Sequence, residues 1–333
     1  MCAGLLTVRS RSPAAPLIMG WLPSAVRRSL PFTRTFILIT RRTLIGASLL
    51  AVPSLLSLPS FAAERRPEPS SDRIIQQQLA DLEHRHGGRL GVAILNTASQ
   101  RLISHGGDER FALCSTFKCL AAACVLSRVD QKREDLARRI AYSAEQLVPY
   151  SPTTELHVGG QGLSVGSLCE AAMTLSDNTA ANLLLDSLGG PDALTAWLRS
   201  IGDTQTRLDR REPELNENRP GDPRDTTTPV AMLHTLNTLV LGSELTLPSR
   251  DQLTAWLVNN QTGDKKLRAG VPAHWRVGDK TGSGANNASN DVAVIWPGDR
   301  SPILVTAYCT GSKASGDQIN VLMADIGRLA AAV

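Results

Sequence analysis

Apolar positions recur with a helical period in some parts of the chain and a strand period in others. Ile74, Ile75, Leu79 and Leu82 share one face of a predicted helix, which Ser70-Ser71-Asp72 caps and Gly87-Gly88 stops. Residues 90–95 and 101–104 read as two strands, with Asn96-Thr97-Ala98-Ser99 as the turn between them. From Phe111 the helical period takes over. It predicts helices over 117–129, 168–188, 191–201, 229–241 and 249–258. Residues 209–228 interrupt that series with a polar stretch rich in proline and charge. A structureless segment of that length inside a compact domain is usually functional. Strands return at 275–279, 291–296 and 303–308, and 317–332 closes the chain as a helix with Ile319, Leu322, Met323, Ile326 and Leu329 on one side. Strands at both chain ends with helices between predict an α/β architecture: one sheet from both termini, with a helical domain inserted in the middle. The boundaries expected are 63–110 and 259–333 for the two parts of the α/β domain, and 111–258 for the helical one, including the loop 209–228.

Composition narrows the class. With 333 residues, 42% of them hydrophobic, the chain can bury one large domain or two intimate ones. Charged residues make up 20%, both signs are interspersed, and the net charge is +4, as on an ordinary soluble surface. Aromatics are only 4% and no basic stripe contains them, which excludes nucleic acid as a partner. Near the start, Thr40-Arg41-Arg42-Thr43-Leu44-Ile45 precedes an apolar stretch at 46–58, and Ser60-Phe61-Ala62 supplies the small residues a signal peptidase reads. Residues 1–62 are therefore predicted to be a signal peptide cleaved after Ala62, using the twin-arginine route to the periplasm, with a Sec signal as the alternative. Met19 is an alternative start. Pro53 and Pro59 and the shortness of the apolar run argue against a permanent membrane anchor.

Cysteine does not set the fold. Cys114, Cys119, Cys124, Cys169 and Cys309 remain after the leader, and an odd number leaves at least one thiol free. No pair has zinc-ligand spacing. His84 and His86 flank one arginine at a predicted helix end and read as solvated cations near the C-terminal dipole. No metal and no organic cofactor is predicted.

Four short strings carry chemistry. In Ser115-Thr116-Phe117-Lys118, positions three apart share a helix face, so a hydroxyl and an amine can meet. A partly desolvated lysine can serve as the base that a serine nucleophile needs. Alone, the pair would be read as a capping serine and a solvated lysine. Ser176-Asp177-Asn178 interrupts an apolar helical segment, at a cost unless it lines a cleft; the other reading is a helix-to-helix turn. Lys280-Thr281-Gly282 lies at the end of, or along, a strand. Lys280 would attract a carboxylate there, and Ser283 adds a hydroxyl and an N–H; a strand-edge turn is the alternative. In Glu212-Pro213-Glu214-Leu215-Asn216, a carboxylate and an amide four apart can hold one water, and Arg210 and Asp225 can pair to close the loop around them.

As an ordered set, Cys114-Ser115-Thr116-Phe117-Lys118, Ser176-Asp177-Asn178, Arg210-Arg211-Glu212-Pro213-Glu214-Leu215-Asn216, Asp225-Thr226-Thr227-Thr228-Pro229 and Lys280-Thr281-Gly282 resemble the class A serine β-lactamases. The resemblance runs from about Ser71 to Val333. It implies a five-stranded antiparallel sheet flanked by helices, an inserted all-helical domain, and an active site between them. It also implies a monomer acting on small β-lactams, penicillins and cephalosporins, through a serine acyl-enzyme. Ser115 matches the acylated nucleophile, Lys118 a base and organiser, Ser176 the proton shuttle to the lactam nitrogen, and Asn178 a ligand for the acylamino side chain. Glu212 with Asn216 matches the holder of the deacylating water. Lys280, Thr281 and Ser283 match the positions that face the substrate carboxylate, and the N–H groups of Ser115 and Ser283 match the oxyanion hole. Asn182 resembles the brace of the loop carrying Glu212, and Tyr150 the aromatic at the cleft mouth.

There are two departures. Where many members carry an arginine after the Lys-Thr-Gly strand, this chain has Ser289; the upstream position that replaces it in some relatives holds Lys266, a point charge rather than a fork. A solvated Lys266 is the plain alternative. Carbapenem-hydrolysing members pair the cysteine matching Cys114 with one at the position of Gly284, so weak carbapenem hydrolysis is predicted. Cys169 lacks its usual partner, since Ala122 stands there, although Cys119 lies one turn away. Two rivals remain: a D-Ala-D-Ala peptidase, which would lack the Glu212 loop, and a β-lactam sensor, which would need a transmembrane segment.

Overall fold

The computed structural model describes residues 70–333; the predicted signal peptide lies outside the described residues. Helix α1 (Ser71–His86) buries Ile75, Leu79 and Leu82, and its last turn carries His84, Arg85 and His86 where the helix dipole favours cations. Two strands follow, β1 (Arg89–Asn96) and β2 (Arg101–His105). The short β3 (Phe111–Ala112) leads into α2 (Phe117–Asp130), whose residues from Phe117 to Ser127 are all buried. Next come β4 (Arg139–Ile140), β5 (Leu163–Ser164), α3 (Val165–Thr174), α4 (Asn178–Leu188) and α5 (Pro191–Ser200). Then follow β6 (Thr226–Thr227), α6 (Pro229–Val240) and α7 (Leu247–Val258). Strands β7 (Arg276–Gly284), β8 (Ala288–Trp296) and β9 (Ile303–Thr310) precede the last helix, α8 (Gly316–Ala331), which opens on a Ser315–Gln318 capping box.

The main sheet runs β2-β1-β9-β8-β7, antiparallel throughout, so the two chain ends meet where β1 pairs with β9. Alternation along the strands gives the sheet two apolar faces. Leu90, Val92 and Ile94 of β1 pack with Ala293, Ile295, Val305 and Ala307 against α1 and α8. Ala93 and Leu95 join Val292, Val294, Leu304 and Tyr308 against the helical layer. β3 pairs with β6, which ties the entrance of α2 to the exit of the 209–228 loop.

Two predicted elements need correction. The single helix over 168–188 is two, α3 and α4, broken at Leu175-Ser176-Asp177. Ser176 takes a positive φ of 62°, and Asp177 caps α4 by accepting from Ala180 N at 2.8 Å. The strand predicted over 275–279 continues to Gly284, so of the two placements expected for Lys280-Thr281-Gly282 it takes the one along the strand, within β7.

Candidate active site

Ser115 stands where the chain enters α2. A 3-10 turn, Cys114–Thr116, precedes the helix, and Thr116 Oγ1 locks it by donating to Leu113 O at 2.7 Å. Cys114 and Thr116 are buried while Ser115 keeps partial exposure. Lys118, three residues on, is fully buried. The two converge on one oxygen: Ser115 Oγ donates to Glu212 Oε1 at 3.3 Å, and Lys118 Nζ lies 3.1 Å from the same atom. Among the described residues no hydrogen bond joins Ser115 to Lys118 directly, so the carboxylate mediates the pairing that the spacing predicts. Lys118 Nζ also donates to Ser176 O at 2.8 Å, Ser176 Oγ at 3.4 Å and Asn178 Oδ1 at 2.6 Å.

Ser176 links the two lysines. Lys280 Nζ donates to Ser176 Oγ at 3.0 Å and to Thr281 O at 3.0 Å. The buried carboxylate of Asp177 holds that break in place, accepting from Thr153 N and Thr154 N, each at 2.9 Å. The Ser-Asp-Asn string is thus both the helix-to-helix turn and a wall of the cleft. Taking an ammonium group out of water lowers its proton affinity. Burial holds Lys118 below the usual lysine range, with Glu212 pulling the other way. Burial, and then the charge of Lys118, pushes Lys280 down to about 7.

The 209–228 loop is pinned at its ends and at its middle. Asp225 Oδ1 accepts from the N–H groups of Asp209 and Arg210, both at 2.8 Å, and Arg210 Nε meets Asp225 Oδ2 at 2.6 Å. Arg210 also reaches Glu217 at 2.5 Å. Asn182 braces Glu212 from both sides, accepting from its N at 3.0 Å and donating to its O at 2.8 Å. Asn216 Nδ2 donates to Glu212 Oε2, while Asn216 Oδ1 is buried with no partner among the described residues.

These groups open on a cleft of about 400 Å³ lined by Ser115, Tyr150, Ser176, Asn178, Asn216, Thr262, Lys266, Thr281, Gly282 and Ser283. Tyr150 stands 62% exposed at its mouth. Gly282 is where a side chain would intrude: a Cβ there would lie 3.2 Å from Ser115 N and 3.0 Å from Leu113 O. Thr262, whose Oγ1 lies 2.5 Å from Thr281 Oγ1, escaped sequence reading because nothing in Gln261-Thr262-Gly263 marks it. So did the partners of Asp279, the β7 residue before Lys280: Arg268, from the turn before β7, and Asn260, from the segment after α7, both bond its buried carboxylate.

A sequence profile described as the Beta-lactamase enzyme family matches residues 74–333. β-Lactamase CTX-M-97 of Escherichia coli is 45% identical over 285 residues, 86% of this chain and 97% of that one. β-Lactamase L2 of Stenotrophomonas maltophilia is 46% identical over 299 residues, 88% of this chain and 98% of that one. The solved structure of an ancestral Gram-negative class A β-lactamase superposes with a TM-score of 0.76 at 64% identity, covering 77% of this chain and 98% of that one. The chain belongs to the class A serine β-lactamase family.

The family's variable positions can now be located. Lys266 is not solvated: it is 8% exposed, lines the cleft, and donates to Ser289 Oγ at 2.7 Å. The two positions that differ from many members are therefore in contact. All five cysteines among the described residues are free and buried, Cys119 and Cys169 included. Burial pushes the thiols of Cys114 and Cys119 up to about 12, so both stay protonated and inert. A Cβ added at Gly284 would lie 2.8 Å from Cys114 Sγ. Gly284→Cys is therefore expected to cross-link to Cys114 on oxidation, read as a fall from six to four in the alkylatable thiols of residues 70–333 in the denatured protein. All six still reactive after oxidation would show that the sulfurs cannot align.

Proposed function

We propose that this enzyme opens the β-lactam ring of penicillins and cephalosporins, hydrolyses the resulting ester on Ser115, and so confers antibiotic resistance. The observation that carries the reading is the sharing of Glu212 Oε1 by Ser115 Oγ and Lys118 Nζ. Ser115 Oγ attacks the lactam carbonyl and gives up its proton to Lys118, or to Glu212 through a water. Negative charge develops on the carbonyl oxygen against the N–H groups of Ser115 and Ser283. The ring C–N bond then breaks, and Ser176 passes a proton to the departing nitrogen, resupplied from the lysines that hold its hydroxyl. Asn178 binds the acylamino side chain, and Lys280, Thr281, Ser283 and Lys266 meet the substrate carboxylate.

Deacylation uses the other side of Glu212. The orphan acceptor Asn216 Oδ1 beside a carboxylate suits a water that donates to both. Glu212 takes its proton as the oxygen attacks the ester, and the proton returns to Ser115 Oγ as the acid leaves. Every atom that moves belongs to protein, substrate or water. The glycine at 284 supports weak carbapenem hydrolysis. The arginine pair at 41–42 and the Ser60-Phe61-Ala62 string support action in the periplasm, and no described helix is long and apolar enough to cross a membrane.

Nitrocefin turnover by the purified protein tests the reading. Sustained turnover is the expected result; a single stoichiometric burst would instead mark a peptidase or a sensor. Lys266→Ala is expected to raise KM for penicillins about tenfold, on the order of 1.4 kcal/mol. An unchanged KM would leave Lys266 with no part in substrate binding.

A further inference from the structure

Thr262 lines the cleft beside Thr281 and has no part in the reaction above. It sits in the segment between α7 and β7, two residues after Asn260. That segment rests on the strand so closely that a Cβ at Gly263 would collide with Asp279 Oδ2. The approach sets Thr262 Oγ1 2.5 Å from Thr281 Oγ1. In an isolated pair either hydroxyl could donate, and each has one proton to give. Here the neighbouring groups fix which one does.

Asn260 sets the direction. Thr262 N donates to Asn260 Oδ1 at 3.1 Å. A backbone N–H only donates, so the amide oxygen faces Thr262 and the amide nitrogen faces away from it. On that other side Nδ2 donates to Asp279 Oδ2 at 2.5 Å. The same Oδ1 lies 2.8 Å from Thr262 Oγ1. An amide oxygen only accepts, so the Thr262 proton points to Asn260. Thr262 Oγ1 is left with lone pairs alone for Thr281, and the proton in that contact comes from Thr281. Among the described residues Thr281 Oγ1 has no other hydrogen-bond partner. Asn260 and Asp279 are buried, so water does not compete along this chain. The Thr281 hydroxyl therefore points its proton at Thr262 and turns lone pairs to the cleft.

A substrate carboxylate also only accepts. It meets a hydroxyl that must first take its proton out of the chain, which leaves the two threonine oxygens facing each other through lone pairs. We infer that Thr262 is a positioning residue: through Asn260 and Asp279 it turns the Thr281 proton away from the cleft and weakens the hold on the substrate carboxylate. The inference rests on the proposed carboxylate contact of Thr281 in a β-lactam hydrolase. The two fail separately: absence of benzylpenicillin turnover by the parent would remove the reading, whereas the Thr262 variants test the direction of one proton.

Thr262→Val removes the hydroxyl and keeps the shape, and Asn260 Oδ1 retains the bond from the backbone N of residue 262. KM for benzylpenicillin is expected to fall about fivefold, with kcat altered less than about threefold. Thr262→Ser, which keeps the hydroxyl, should not show that fall. Thr281→Val has no proton to release, so adding Thr262→Val to it should bring no gain. An unchanged or raised KM in Thr262→Val would overturn the inference, and so would an equal gain in the Thr281→Val background. If Thr262→Val does not fold, Thr262→Ala carries the same expectation and the same refutation.

Discussion

Glu212→Ala is expected to stop turnover while leaving the protein able to react with substrate. The variant should accumulate a covalent adduct on Ser115, seen as substrate mass added to the intact protein, with kcat lowered by about 10³ or more. The reason lies in what Glu212 supports. It is the principal group holding the proton on buried Lys118, against desolvation. Without it Lys118 falls further below the lysine range and becomes a neutral amine near the hydroxyl, competent to take its proton. Acylation can therefore proceed, whereas the water that Glu212 and Asn216 would hold has lost its base. Turnover of Glu212→Ala at the parent rate would remove Glu212 from the chemistry altogether.

Lys118→Ala should fail in the opposite way. Formation of the adduct, not its clearance, should slow by about 10³ to 10⁴, so little acylated protein accumulates at steady state. Stability should fall as well. Lys118 and Glu212 are both fully buried as a pair, and removing the cation leaves a carboxylate without its charge partner. Losses of that kind run to roughly 3–5 kcal/mol. The Asn216 and Ser115 bonds to Glu212 offset part of it. Rapid adduct formation in Lys118→Ala would show that another group accepts the serine proton. Together the two variants separate the half-reactions: one traps the ester and the other prevents it.

Much of the site is legible along the chain because its parts are local. Ser115 and Lys118 share a helix turn. Glu212 and Asn216 share one turn of the loop, and Lys280, Thr281 and Ser283 share a strand. Residue type and short spacing were enough to nominate each group. The helices and strands were legible too, except where backbone conformation overrode the apolar pattern. The apolar pattern over 168–188 reads as one helix because it resumes after the Ser176-Asp177-Asn178 interruption. The positive φ of Ser176 and the Asp177 cap end α3 and start α4, and neither leaves a mark in hydrophobic period.

What the sequence alone determined is the reactive inventory and the order of its elements, since these depend on residue type and on interactions within a few positions. Only the tertiary structure decided how the pieces meet. It brings Ser115 and Lys118 onto a single oxygen of Glu212, sets Ser176 between two lysines, and decides between the two readings of Lys266 by burying it against Ser289. Those outcomes turn on distance and burial between residues as many as 104 positions apart in the chain. Electrostatic strength depends on both, so the acidity of each lysine is a property of the fold rather than of the residue.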